Sequence, residues 1–324
     1  MSLPDIDVKI LLTNAGRRTY FVEFILKCSA GGGKPEIFIG DCTYDAPALH
    51  VSDLAKNILF PPVLADENAY IRAVLKFVGE QKIDLIMPLS DLDLGILARS
   101  KGQFERLGAR IVVSDPQTIE RCMNKRAAYN FCISKGIPTP DSFFSIAEFD
   151  GQYPAFRKLI RGSGSVDQRI VESENDIGDF VPDLQFLQRL MVGEEFGLDI
   201  LNDFEGRFIC VTVKKKLAMR AGETDRAAIV HHDKLERLGR EISERFGHIG
   251  NLDVDVIEDK DGKLFCLDFN PRFGGGYPAT HLAGMNYLQA IVNMAAGEPI
   301  ELPRVPRKIT VMKGISLHVM EGTA

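Results

Sequence analysis

The sequence predicts an N-terminal α/β domain on a doubly wound parallel sheet, followed by a strand-rich α+β region. Three observations carry this expectation. Apolar runs alternate with amphipathic stretches over the first 110 residues or so. Strand-length runs then dominate from about residue 155. Near the C-terminus, Asn251-Leu252-Asp253-Val254-Asp255-Val256 and Leu264-Phe265-Cys266-Leu267-Asp268-Phe269-Asn270-Pro271-Arg272 alternate apolar and polar residues around the turn Asp259-Lys260-Asp261-Gly262.

Taken in order, residues 8–13 form an apolar run that stops at Asn14-Ala15-Gly16-Arg17-Arg18. A helix follows, with Tyr20, Phe21, Phe24, Ile25 and Cys28 on one stripe, ended by Gly31-Gly32-Gly33. Residues 36–40 read as a second strand, ending at Asp41. Ile71, Val74, Leu75 and Val78 mark another amphipathic helix. Residues 83–88 are a third strand, ending at Ser90-Asp91-Leu92-Asp93, and 111–113 a fourth, ending at Ser114-Asp115-Pro116. Ligands of such sheets bind beyond the carboxyl ends of the strands. Those ends carry Asn14, Gly16, Arg17, Asp41, Ser90 and Asp91. Residues 13–18 are not GxGxxG, so a dinucleotide-dependent oxidoreductase lacks its glycines. Residues 14–18 suit a carboxylate or phosphate instead; a plain turn with surface arginines is the competing reading.

One helix is expected over 117–135, with Ile119, Cys122, Met123, Ala127, Asn130 and Phe131 inward. Gly136-Ile137-Pro138-Thr139-Pro140 ends it. Strands follow at 155–159, 168–172, 186–191, 196–201 and 208–215, the last two joined by Asp203-Phe204-Glu205-Gly206. A helix over 234–246 precedes the acidic hairpin.

In that hairpin the pleat sets Leu252, Val254 and Val256 opposite Asp253 and Asp255, and Phe265, Leu267 and Phe269 opposite Asp268 and Asn270. If the apolar faces coincide, three carboxylates and an amide crowd one surface. Their repulsion and desolvation call for a divalent cation, and hard oxygen ligands from few side chains suit Mg²⁺. Arg272 could reach an anion held by that metal. A solvated hairpin face is the alternative.

Other segments could handle a nucleotide. Gly162-Ser163-Gly164-Ser165 follows a strand carrying Lys158, and such a loop can fold over phosphates; a flexible hairpin tip would look the same. Lys125 on the linking helix says nothing alone. Gln188-Arg189-Leu190-Met191-Val192-Gly193-Glu194-Glu195 joins two strands, where main chain could meet an adenine and a carboxylate could grip a ribose; a surface turn is the alternative. Residues 220–226 read as a polar loop able to close over a site.

Composition excludes several classes. The chain has 324 residues, 45% hydrophobic and 26% charged, with a net charge of −6. No basic-aromatic stripe suggests nucleic acid, and Lys214-Lys215-Lys216, the one compact basic cluster, reads as solvated. No apolar stretch reaches the roughly 20 residues of a membrane span. The first residues lack the layout of a signal peptide. Six cysteines lie scattered without a CxxC pair, which fits a reducing cytoplasm, and six scattered histidines argue against zinc.

Together these pieces resemble the ATP-grasp superfamily, and in particular the large subunit of carbamoyl-phosphate synthase. The likeness spans nearly the whole chain and is sharpest at Asp268-Phe269-Asn270-Pro271-Arg272, followed by Phe273-Gly274-Gly275-Gly276, which is similar to the family's Glu-x-Asn-Pro-Arg element. The resemblance implies a Rossmann-like domain over 1–114, then two lobes clasping ATP: a small one with the linking helix over 115–192 and a large one with the tail over 193–324. It implies that Lys125 and Lys158 hold phosphates under the loop of Gly162, Ser163, Gly164 and Ser165. Gln188 and Leu190 would present main chain to adenine, Glu195 would bind ribose, and Arg220 would face nucleotide or substrate. Asp255, Asp268 and Asn270 would coordinate Mg²⁺, with Mn²⁺ as a substitute. Arg272, with Lys158, would steady the transferring phosphoryl group.

Two departures stand out: Asp268 occupies a position usually Glu, and Leu159 one usually Pro. A two-residue turn would set Asp253 opposite Asp268, making Asp253 a rival of Asp255. The implied activity is an ATP- and Mg-dependent ligase that activates a small-molecule carboxylate for attack by an amine or similar nucleophile, with room for a homodimer. A kinase stopping at the phosphorylated product, or a non-catalytic nucleotide-binding subunit, are its rivals.

Overall fold

The computed structural model describes residues 8–162 and 168–317. Five parallel strands, β1 (Lys9–Thr13), β2 (Glu36–Asp41), β3 (Ala55–Leu59), β4 (Leu85–Pro88) and β5 (Arg110–Ile111), form a sheet of order β3-β2-β1-β4-β5. The order reverses between β1 and β4, which opens a crevice at their carboxyl ends. Helices α2 (Glu67–Gln81) and α3 (Asp91–Arg106) cover one face through Tyr70, Ile71, Val74, Leu94 and Leu97. Helix α1 (Thr19–Ile25) covers the other, together with Leu288 and Ile291 of a helix from the far end of the chain. The edge strand β3 was not foreseen: Lys56, Asn57 and Leu59 face solvent, so its apolar signal is faint.

The expected single linking helix is two. α4 (Pro116–Met123) ends and α5 (Lys125–Lys135) begins at Asn124, whose φ of −116° and ψ of 107° are extended. The Asn124 carboxamide oxygen accepts from the N–H groups of Arg126 and Ala127 and so caps α5. An asparagine that competes for backbone donors breaks a helix whose apolar spacing alone would continue.

A four-stranded sheet follows, of order β6-β9-β7-β8, from β6 (Ser142–Phe143), β7 (Ala155–Leu159), β8 (Arg169–Val171) and β9 (Gln185–Arg189). The third sheet has order β14-β13-β10-β11-β12-β15. Its strands are β10 (Gly193–Asn202), β11 (Phe208–Arg220), β12 (Glu223–Val230), β13 (Gly250–Asp259), β14 (Leu264–Asn270) and β15 (Thr310–Met312). Helix α6 (Asp233–Phe246) packs Leu235, Leu238, Ile242 and Phe246 against Leu198, Ile200, Leu252 and Val254. Helices α7 (Tyr277–Leu282) and α8 (Tyr287–Ala296) close the chain's helical part. Residues 220–226 are not a loop: β11 turns into β12 through Ala221 and Gly222 alone, at φ of 49° and 77°.

Candidate active site

All three sheets border one cleft of about 690 Å³. The acidic hairpin supplies its floor. Val254 pairs with Phe269 and Asp255 with Asp268, whereas Asp253 stands opposite Asn270. This corrects the register expected from a two-residue turn. A bulge between Asp255 and Val256 then changes the alternation, so Cys266 enters the core and Leu267 faces the cleft beside Asp268. Two carboxylates, Asp255 and Asp268, thus meet directly, with Asn270 two positions on.

Each of these carboxylates already holds an ammonium. Lys125 Nζ lies 2.6 Å from Asp268 Oδ1, and Lys216 Nζ 2.6 Å from Asp255 Oδ1. The helix break at Asn124 makes Lys125 the first residue of α5, and its N–H donates to Ile160 O at 2.9 Å. Burial tends to raise the Asp268 carboxyl, but Lys125 and Lys158 outweigh it and hold Asp268 below the usual carboxylate range. At Asp255 burial wins over Lys216, Asp253 adds to it, and the carboxyl is raised.

Lys214 and Lys216 are not the solvated pair their sequence suggested. Lys214 is 1% exposed. Its Nζ lies 2.7 Å from Asp199 Oδ2 and 3.1 Å from Asp253 Oδ1. Burial pushes the Asp199 carboxyl up, with Lys214 opposing it. At Asp253 the cations Lys214, Lys216 and Arg272 outweigh burial and hold it low. Both lysines sit on β11 while Asp253 and Asp255 sit on β13, with β10 between them. Gly197 on β10 makes this reach feasible: a Cβ there would lie 3.0 Å from Lys214 Cε and 3.7 Å from Lys216 Cε. Sequence reasoning missed Lys214, Lys216, Asp199 and Gly197. The available signal was alternation, since Lys215 points to the other face and pairs with Glu194 at 2.5 Å.

The four-stranded sheet forms the opposite wall. Lys158 Nζ donates to Gln188 Oε1 at 2.8 Å and lies 5.1 Å from the Phe156 ring centroid. Burial lowers its pKa. Gln188 is enclosed in the ladder between Ser142 and Phe156, and its Nε2 donates to Ser142 Oγ at 3.0 Å. It therefore offers the cleft its side chain, which sets Lys158, rather than the free main chain expected. Leu190, just past β9, and Glu195 on β10 both border the cleft, as does Gly162. Ser163, Gly164 and Ser165 lie outside the described residues.

The third wall is the crevice of the parallel sheet, with Asn14, Arg17, Arg18, Tyr20 and Asp91. Asn14 and Gly16 have φ of 47° and 54°. Asp41 does not face the cleft: its Oδ2 accepts from the Gly16 N–H at 2.7 Å and shapes this turn. Arg272 meets Asp91 through two bonds, Nε to Oδ1 at 2.9 Å and Nη2 to Oδ2 at 2.8 Å. The Tyr20 hydroxyl is buried without a partner among the described residues. Glu223 also borders the cleft. Arg220 does not: its guanidinium turns to Asp225 at 2.5 Å, in a groove that adjoins the cleft across Arg17, Tyr20 and Glu223, and Ala221 and Gly222 take its place at the rim.

Two stretches match family models: residues 10–112 match the PylC-like N-terminal domain, and residues 182–318 match ATP-grasp in the biosynthetic pathway with Ter operon. No curated protein matches the sequence. Among similar solved structures is purK, N5-carboxyaminoimidazole ribonucleotide synthetase with ADP, at 14% identity and TM-score 0.73 over 94% of this chain and 81% of that one. Another is the L-amino acid ligase of Bacillus licheniformis, at 18% identity and TM-score 0.65 over 89% and 74%. A third is the biotin carboxylase domain of Hydrogenobacter thermophilus 2-oxoglutarate carboxylase with MgADP and bicarbonate, at 17% identity and TM-score 0.67 over 92% and 71%. The matched stretches and the shared architecture identify the fold as that of the ATP-grasp superfamily, preceded by a PylC-like N-terminal domain.

Proposed function

We propose that the protein is an ATP- and Mg²⁺-dependent ligase that activates a substrate carboxylate as an acyl-phosphate for attack by an amine or similar nucleophile. The carrying observation is the convergence of Lys125, Lys158, Asp255, Asp268, Asn270 and Arg272 on one cleft from separate parts of the fold. The ADP and MgADP bound to the relatives support it. The narrower likeness to carbamoyl-phosphate synthase rests on the sequence, above all on Asp268-Phe269-Asn270-Pro271-Arg272. The proposed units remain 1–114, 115–192 and 193–324.

A substrate carboxylate oxygen attacks the γ-phosphorus of ATP, the bond to the β,γ-bridging oxygen breaks, and ADP leaves. The nucleophile then attacks the acyl carbon and phosphate leaves. Such chemistry needs positioning and charge neutralisation more than a protein nucleophile. Lys125 and Lys158 hold phosphate oxygens, and Arg272 steadies the group in transfer. Glu195 binds ribose and Leu190 presents its main chain to adenine. Asp255, Asp268 and the Asn270 amide oxygen are hard donors that fit Mg²⁺; Asn270 Nδ2 is directed to Asp253 O at 3.3 Å, which leaves its oxygen for the cleft. Bound there, Mg²⁺ neutralises phosphate charge. The carboxylate and nucleophile occupy the end lined by Arg17, Arg18, Tyr20 and Glu223.

An ADP-release screen over pooled carboxylates and amines tests this reading. Asp268→Ala and Lys158→Ala are expected to lose turnover while keeping their fold; unchanged turnover in Asp268→Ala rejects the site. Release of ADP without need of an amine would favour the kinase alternative.

A further inference from the structure

Asp91 opens α3 from the parallel sheet, whereas Arg272 follows β14, 181 positions later. The Asp91 carboxylate takes the Nε–H of Arg272 and one hydrogen of Nη2, at 2.9 and 2.8 Å. Nη1 donates to Phe273 O at 3.2 Å. A guanidinium has five N–H groups, in a planar fork with no freedom to rearrange them. With the Nε side filled, the hydrogen left on Nη2 lies on the terminal edge, next to Nη1. Nη1 keeps a second hydrogen beyond its bond to Phe273 O, so the terminal nitrogens still have donors for a carboxylate or phosphoryl oxygen. Without Asp91, the guanidinium could turn and grip the same anion through its Nε side, displacing the anion from its place in the cleft.

We propose that Asp91 is a positioning residue, which fills the Nε side of Arg272 and so fixes the guanidinium edge offered to the transferring phosphoryl group. The proposal rests on the ligase reading above. It makes the phosphoryl-handling arginine dependent on a carboxylate from the parallel sheet. A purely structural tie is the competing role. Arg18 already supplies one: its Nη1 donates to Phe273 O at 2.6 Å and joins the same loop to the same sheet. Loss of Asp91 therefore leaves the two parts connected.

The test uses the reverse half-reaction in the full chain, with acetyl phosphate and MgADP as probes. A β-phosphate oxygen of ADP attacks the phosphorus, the bond from phosphorus to the acyl oxygen breaks, and acetate leaves as ATP forms. Asp91→Asn is expected to lower kcat by about 10- to 100-fold, the scale of a small misplacement of a reacting group. KM for MgADP should stay within about twofold, because the loss falls on the transition state. Asp91→Glu should recover part of kcat. In an Arg272→Ala background, Asp91→Asn should cost nothing further. Wild-type kcat in Asp91→Asn, or an additive loss in the double variant, overturns the positioning role and leaves the ligase reading standing. A wild-type enzyme that makes no ATP here and releases no ADP in the pooled screen overturns both.

Discussion

Asp255 stands directly across the β13–β14 ladder from Asp268, and the two carboxylates hold lysines from different parts of the fold, Lys216 and Lys125. Two acids this close would repel if bare. The ammonium groups therefore compensate the acidic pair, and phosphates offer those same lysines another partner. Mg²⁺ and nucleotide should consequently bind together. Calorimetry with Mg²⁺ alone should give at least about tenfold weaker binding than Mg²⁺ in the presence of a non-hydrolysable ATP analogue, a coupling near 1.4 kcal/mol. Equal affinity in both titrations would contradict the arrangement.

Gly197 is the passage through which Lys214 and Lys216 cross β10. Gly197→Val should crowd both side chains, separate them from Asp253 and Asp255, and abolish ADP release. Breaking buried pairs of this kind costs about 3–5 kcal/mol. Guanidinium unfolding should therefore show a marked loss of stability as well. A variant with wild-type stability and turnover would show that the crossing is dispensable.

Asn124 ends one helix and starts the next, placing Lys125 at the head of α5. Asn124→Ala removes the cap and should cost about 1 kcal/mol in stability. It also lets the two helices merge and carries Lys125 away from Asp268, so the Kd for Mg-ATP should rise several-fold. Asn124→Asp keeps the acceptor and should retain most of the affinity. Identical binding in Asn124→Ala would separate the break from the site.

His248 is fully buried; its Nε2 donates to Ile200 O at 3.1 Å, and burial lowers its pKa to about 4 from 6.5. Below pH 6.5 the unfolded chain takes a proton that the native one refuses until about pH 4. This contribution is present above pH 6.5 and is lost as pH falls through that window, by roughly 3 kcal/mol in total at 1.36 kcal/mol per unit. His281, lowered to about 4 by burial, acts in the same direction. Urea midpoints between pH 7 and 4 should fall, and His248→Gln should flatten the slope. A slope unchanged in that variant would acquit His248.

Much of the architecture could be read from residues. Apolar periodicity marks β1, β2 and β4 and the face of α6, because core burial sets both the pattern and the element. The acidic hairpin was equally legible. What escaped were features decided by partners far away in sequence. The single-residue bulge that turns Leu267 toward the cleft leaves no mark on composition. Lys214 looked solvated because its two acids lie on other strands. Arg220 looked suited to the cleft until Asp225, five residues on, took its charge.

The 181-residue separation of Asp91 and Arg272 also imposes a timetable on synthesis. Domains form as they leave the ribosome, N-terminal parts first. The parallel sheet can assemble early, yet its α1 face stays uncovered until α8 is translated. Its rim then holds only one wall of the cleft for as long as the remaining strands take to appear. Ribosome-stalled chains that stop before β14 should therefore retain no nucleotide.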